Sequence, residues 1–141
     1  MSVFVDTDVL YAHQVADAER HETAVDLVDA ILDGEYGQPY TSDYVLDEAV
    51  TLTRARTDSV ADADAIAKRI RGSDPHPPIV EMIYTTAASV SAGLDMFRQY
   101  DDHDLSFTDA MNVAICERRE INTIASFDLD FDGIVDRVGS E

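Results

Sequence analysis

Short apolar runs, "VFV", "QPYTS", "PIVEMIY", "NTIAS" and "IVDRV", alternate along this chain with longer stretches of helical periodicity. Runs of that length suit strands, and helices between them are what parallel strands need as crossovers. The helical stretches cover about residues 8 to 16, 21 to 33, 42 to 56, 60 to 71, 86 to 100 and 106 to 119. In the second, Ala24, Leu27, Val28, Ile31 and Leu32 recur at the spacing of one helix face, and Gly34 stops it. Ser42 stands where an N-cap belongs, and Ser106 opens the last helix. The alternation predicts an α/β fold with a mainly parallel sheet of about five strands and right-handed crossovers. At 141 residues, 45% hydrophobic, the chain suffices for one compact core and is expected to be a single domain over 1–141.

In sheets of this class the ligand crevice lies outside the carboxyl ends of the strands, where strand order reverses. Asp6 directly follows the first run, Asp128 follows "TIA", and Glu48 and Asp109 fall within the first two turns of helices that open at such loops. These four carboxylates can therefore meet in one pocket. Together they raise one another's pKa values unless a cation joins them, and hard oxygen ligands in that number suit Mg²⁺ or Mn²⁺.

Other uses of these acids compete. "SFDLDFDG" contains D-x-D-x-D-G, the opening of an EF-hand calcium loop, but the closing glutamate is replaced by Gly139. Asp6-Thr7-Asp8 suggests an aspartyl-phosphate phosphatase. That motif expects Thr or Val where Leu10 stands, and the single lysine, Lys68, falls in a helix far from the pocket loops. Asp8 is a candidate cap of the first helix, and Asp109, three residues after Ser106, fits a capping box. Glu48 stands beside Asp47, about 100° around the helix, so either acid fits a solvated surface. Asp130 and Asp132 fit an acidic surface, although Asp8 and Asp130 are also placed to support the four acids from behind. His13, His21, His76 and His103 lack metal-ligand spacing, and Phe127 and Phe131 read as core anchors. Cys116, the single cysteine, reads as a buried thiol.

The segments "VFVDTDVL", "TSDYVLDEAVTL", "YDDHDLSFTDAMNVAI" and "TIASFDLDF" give the chain a further character. Through them it resembles the PIN-domain nucleases, and among these the VapC-type toxins of toxin–antitoxin pairs, over nearly its whole length. The resemblance implies a PIN-like, Rossmann-like three-layer sandwich with a central sheet flanked by helices. It places the family's catalytic and metal-binding acids on Asp6, Glu48, Asp109 and Asp128, with Ser126 where the family usually has threonine. It also implies hydrolysis of phosphodiester bonds in single-stranded RNA, assisted by Mg²⁺ or Mn²⁺, by an often homodimeric protein that a small antitoxin neutralises. The alternatives are a housekeeping PIN nuclease in RNA processing and a non-catalytic PIN-like binding module; four intact acids argue against the second.

RNA phosphates need cations, and this chain carries a net charge of −19, with 29 acidic against 10 basic side chains. Arg54, Arg56, Lys68, Arg69 and Arg71 form the densest basic cluster and could line an RNA path, or complement helix dipoles. The acids are interspersed with normal apolar periodicity, as on a folded surface, and molar salt would screen their repulsion. A halophile's protein is the expectation. Met1 runs directly into "VFV" with no basic region or long apolar run, so a cytoplasmic location without membrane contact is expected.

Overall fold

Val3, Phe4 and Val5 are completely buried in the first strand, β1 (Ser2–Val5), which takes the centre of a parallel sheet in the computed structural model, described over residues 1–139. The remaining strands are β2 (Gln38–Ser42), β3 (Glu81–Ile83), β4 (Thr123–Ala125) and β5 (Asp136–Val138), in the order β3-β2-β1-β4-β5. Every pairing is parallel, with Phe4 opposite both Tyr40 and Ile124. The chain steps from β1 out through β2 to β3, then returns across β1 to lay down β4 and β5. Strand order therefore reverses between β1 and β4, and their carboxyl ends form the crevice that such sheets use for ligands.

The helices fall where periodicity places them: α1 (Thr7–Gln14), α2 (His21–Leu32), α3 (Asp43–Thr57), α4 (Val60–Arg71), α5 (Ala87–Gln99) and α6 (Phe107–Arg119). In α6 every residue from Ala110 to Cys116 is buried, so this helix runs through the core. α5 instead buries only Gly93, where a Cβ would run into the thioether of Met111 on α6; the missing side chain lets the two helices approach closely. Phe4, Ile66 and Phe131 are fully buried, each worth about 1.5–3 kcal/mol in removed apolar surface. No described helix is long and apolar enough to cross a membrane.

Three details differ from the sequence expectation. β3 and β5, the two edge strands, are shorter than the runs that predicted them. Pro77 and Pro78 lack N–H groups for the ladder ahead of β3, and before β5 the N–H groups of Ile134 and Val135 both turn back to the Phe131 carbonyl. Leu32, counted in the apolar stripe of α2, is 55% exposed at the last residue of the helix, where the core face has already turned away.

Candidate active site

The backbone just beyond β1 is held on both sides: the Asp6 N–H donates to the Ala125 carbonyl at 3.0 Å, and the Thr41 hydroxyl donates to the Val5 carbonyl at 2.8 Å. Asp6 thus leaves the sheet at a fixed point and becomes the N-cap of α1, accepting from the Thr7 N–H at 2.8 Å. The cap is Asp6 and not Asp8, because the residue that closes the strand still has the extended backbone a cap requires. Asp6 Oδ1 also accepts from Asn112 Nδ2 at 3.0 Å, and Oδ2 accepts from the Ser126 hydroxyl at 2.7 Å. Only 4% of Asp6 is exposed, and its donors lie on α1, on α6 and just after β4.

Ser126 joins the two loops of the crevice. Fully buried, it lies 3.3 Å from Asp8 Oδ2 as well as donating to Asp6, and its oxygen accepts from the Asp128 N–H at 3.0 Å. Asp8 reaches across from the first turn of α1 to take the Phe127 N–H at 3.0 Å. The Arg137 side chain grips the same loop from β5, donating Nη1 to the Ser126 and Gly139 carbonyls at 3.1 and 2.9 Å.

Asp6, Asp8, Glu48, Asp109 and Asp128 line one cavity of about 590 Å³ at the carboxyl end of the sheet. Asp109 also completes a capping box: its carboxylate accepts from the Ser106 N–H at 3.0 Å while the Asp109 N–H donates to the Ser106 hydroxyl at 3.1 Å. The capping use and the pocket position, which compete in the sequence, belong to one carboxylate. Of the neighbouring acids on α3, Glu48 lines the cavity, whereas Asp47 is exposed with the Thr51 hydroxyl 3.5 Å away.

The three alternating aspartates have three different roles. Asp128 lines the cavity and caps a 3₁₀ turn, Leu129–Phe131, accepting from the Asp130 N–H at 2.9 Å. Asp130 therefore reaches the site through its backbone, and its carbonyl accepts from His103 Nδ1 at 3.1 Å. Asp132 is more than a surface acid: it pairs with Arg137 at 2.8 Å.

The acids that line the cavity hold their protons more tightly than free carboxylates do. Burial first, and then the neighbouring Asp8, push the Asp6 carboxyl well above the usual range. Burial moves Asp8 from 3.8 to about 6 and Asp109 from 3.8 to about 6, with Asp128 and Glu48 adding to the second. Because these acids bind protons more tightly folded than unfolded, they stabilise the cation-free fold at low pH, and that contribution is lost as pH rises through about 6. A divalent cation would supply the missing charge. Asp8 Oδ1 is buried without a hydrogen-bond donor, and the carboxylate oxygens that line the cavity suit a hard divalent cation. Among the described residues no three Asp, Glu, His or Cys close around a single point. Mg²⁺ does not demand that, since it keeps several waters and takes only one or two carboxylates directly. The residues present therefore fit such an ion.

Of the basic cluster, Arg56 is the member that reaches the cavity. Arg56 lines the cavity with its guanidinium 5.0 Å above the Tyr11 ring. Arg54 instead pairs with Asp58 at 2.7 Å, Lys68 with Asp64 at 3.1 Å, and Arg69 donates to Gln14 at 3.0 Å, while Arg71 ends α4. Arg20, not anticipated from the sequence, also lines the cavity, 5.2 Å above the ring of Phe127. Asn112 is the other residue that sequence pattern does not single out; its one signal is a polar side chain inside the buried run of α6. Burial pushes the Cys116 thiol up to about 12, so it stays protonated at neutral pH.

Comparison with known proteins adds to this geometry. The PIN domain family matches residues 3–136. The VapC20 toxin of Mycobacterium tuberculosis, described as cleaving the Sarcin-Ricin loop, is 30% identical, with a TM-score of 0.80 over 95% of this chain and 97% of that one. VapBC2 of Rickettsia felis, solved with a DNA fragment from its promoter, shares the fold at 12% identity and a TM-score of 0.69, covering 98% of each chain. A toxin–antitoxin complex from Klebsiella pneumoniae does so at 14% and 0.65, covering 96% of this chain and 95% of that one. No curated protein sequence matches.

Proposed function

This chain belongs to the PIN domain family, in its VapC-type branch, and from that premise we propose that it is the ribonuclease toxin of a toxin–antitoxin pair, hydrolysing phosphodiester bonds of single-stranded RNA with Mg²⁺ or Mn²⁺. The observation that carries the reading is the convergence of Asp6, Glu48, Asp109 and Asp128, from four separate elements, on one cavity at the point where strand order reverses.

Asp6, Asp109 and Asp128 would hold the ion, with Glu48 beside them. When bound, the ion supplies a water of lowered pKa and neutralises charge developing on the phosphoryl oxygens. Asp6 contributes by position: with Oδ1 fixed by Thr7 and Asn112 and Oδ2 by Ser126, it presents its charge in one orientation. The Ser106 N–H does the same for Asp109, and the Asp130 N–H for Asp128. Glu48, on the first turns of α3, would bind the ion or orient the attacking water. Purified protein is expected to cut a labelled single-stranded RNA when Mg²⁺ or Mn²⁺ is present and to stop on chelation; cleavage that persists in excess chelator would rule this out.

The partner on this reading is a small antitoxin, as in the toxin–antitoxin complex that shares the fold. A second copy of the chain is a further partner, docking on α5, where Leu94 and Phe97 are 38% and 46% exposed. Phe97 meets Phe107 edge-on at 6.2 Å, and Phe107 meets Tyr44 at 5.9 Å, so an apolar patch continues toward the start of α6. Light scattering should report a dimer that Phe97→Glu converts to a monomer, and a monomeric parent would contradict the pairing.

The acidic surface fits a cytoplasm rich in salt. At −19 with one lysine, the folded chain repels itself in dilute buffer, and molar salt shortens the screening length to about 3 Å. The melting temperature should rise steadily along a KCl series toward molar concentration. A flat or falling profile would reject adaptation to salt.

A further inference from the structure

Beside the acidic cavity lies a second, of about 710 Å³, and the two share Tyr11, Ala18 and Arg56. The first is lined by the carboxylates and the second by Gln14, Val15 and Thr57, and the Arg56 side chain stands where they adjoin. Each is in the size range of a site for one small ligand, roughly 300–1,000 Å³. Their charge differs. The first holds Asp6, Asp8, Glu19, Glu48, Asp109 and Asp128; the second has only Asp17 and Asp62.

A polyanionic strand approaching six carboxylates needs cations of the protein's own beside any bound metal. Among the described residues that line the acidic cavity, Arg20 and Arg56 are the basic ones. Each lies over an aromatic ring that also lines the cavity, Phe127 under Arg20 and Tyr11 under Arg56. Stacking engages the face of a guanidinium and leaves phosphate recognition to its N–H edge, and it lowers the entropy lost on binding. The two come from different elements: Arg20 is the N-cap residue of α2 and Arg56 lies in the last turn of α3.

We propose that the second cavity is the subsite for the nucleotide adjoining the bond that is cut, and that Arg56 and Arg20 hold the phosphates on either side of the carboxylates. Arg56, standing in both cavities, binds the phosphate that links the two nucleotides, while Gln14 and Thr57 offer polar contacts to the flanking sugar and base. This assignment rests on the ribonuclease reading. It makes the second cavity the place where preference among RNA sequences is set.

Binding of a short fluorescent single-stranded RNA of mixed sequence to Asp6→Asn protein, with Mg²⁺ and across a KCl series, tests it. For single strands the slope of log K against log salt weakens by about 0.7 for each phosphate that the protein no longer neutralises. Arg56→Gln and Arg20→Gln should each weaken it by about 0.7, and the double variant by about 1.4. Arg56→Lys and Arg20→Lys, which keep the charge, should retain the slope, as should Arg119→Gln at the far end of α6. Circular dichroism checks that each variant is folded. Slopes unchanged in both glutamine variants, with RNA still bound, would overturn the subsite while sparing the ribonuclease reading. RNA bound by neither the parent nor the Asp6→Asn protein would instead overturn the reading on which the subsite rests.

Discussion

Asp6→Asn is expected to lower RNA cleavage by about three orders of magnitude while leaving the fold in place. Asparagine matches aspartate in volume, and the surrounding donors can accommodate it. Its oxygen can keep the bonds from the Thr7 N–H and the Asn112 amide, and its amide can donate to the Ser126 hydroxyl, which then accepts. What it cannot keep is charge. The same substitution should raise, or at least preserve, the melting temperature of the cation-free protein at neutral pH. The reason is that burial and Asp8 already hold the Asp6 carboxyl well above its usual range, so its ionised form costs stability there. A variant that cleaves like the parent would remove Asp6 from the chemistry. One that melts far below the parent would make its role structural.

Asp128→Asn, Asp130→Asn and Asp132→Asn should give a graded series, not three equal losses. Asp128 lines the cavity, so losing its charge should reduce cleavage by about two to three orders of magnitude. Asp130 does not line the cavity and supports Asp128 through its N–H, which asparagine retains, so a loss of less than about tenfold is expected. At Asp132 the loss falls on the ion pair with Arg137, so the effect should be a drop in stability of about 1 kcal/mol with cleavage nearly unchanged. Side-by-side cleavage rates and melting curves decide it. Equal losses at all three positions, accompanied by tight Ca²⁺ binding, would restore the calcium-loop interpretation of the segment.

The carboxylates that line the cavity were legible because parallel α/β sheets place a crevice at strand carboxyl ends. Asp6 and Asp128 each follow a short apolar run, and Asp109 follows a capping serine; local pattern alone marks such positions. Local pattern fails where contacts come from distant segments. Arg20 and Phe127 meet from separate loops, and nothing in either neighbourhood predicts the stack. Asn112 reads as an irregularity in a buried helix until Asp6 is brought to it from 106 residues away. The basic cluster shows the opposite case. Its members are close in sequence, but helix positions point in different directions, so only Arg56 turns into the cavity. The cap of α1 moved from Asp8 to Asp6 through backbone shape, since the helix opens at Thr7 with no loop after the strand and Asp6 alone keeps the extended conformation between them.

Calorimetric titration of Mg²⁺ and Mn²⁺ into the parent and Asp6→Asn proteins tests most directly whether the carboxylate cavity is a cation site. With Asp8 and Asp109 raised to about 6, a cation and protons compete for the same oxygens. The parent is expected to bind the ion above pH 7, to bind it more weakly as pH falls through 6, and to release protons on binding near pH 6; Asp6→Asn should bind at least about tenfold more weakly. Equal affinity in the two proteins, or no binding by the parent at any pH, would contradict the account.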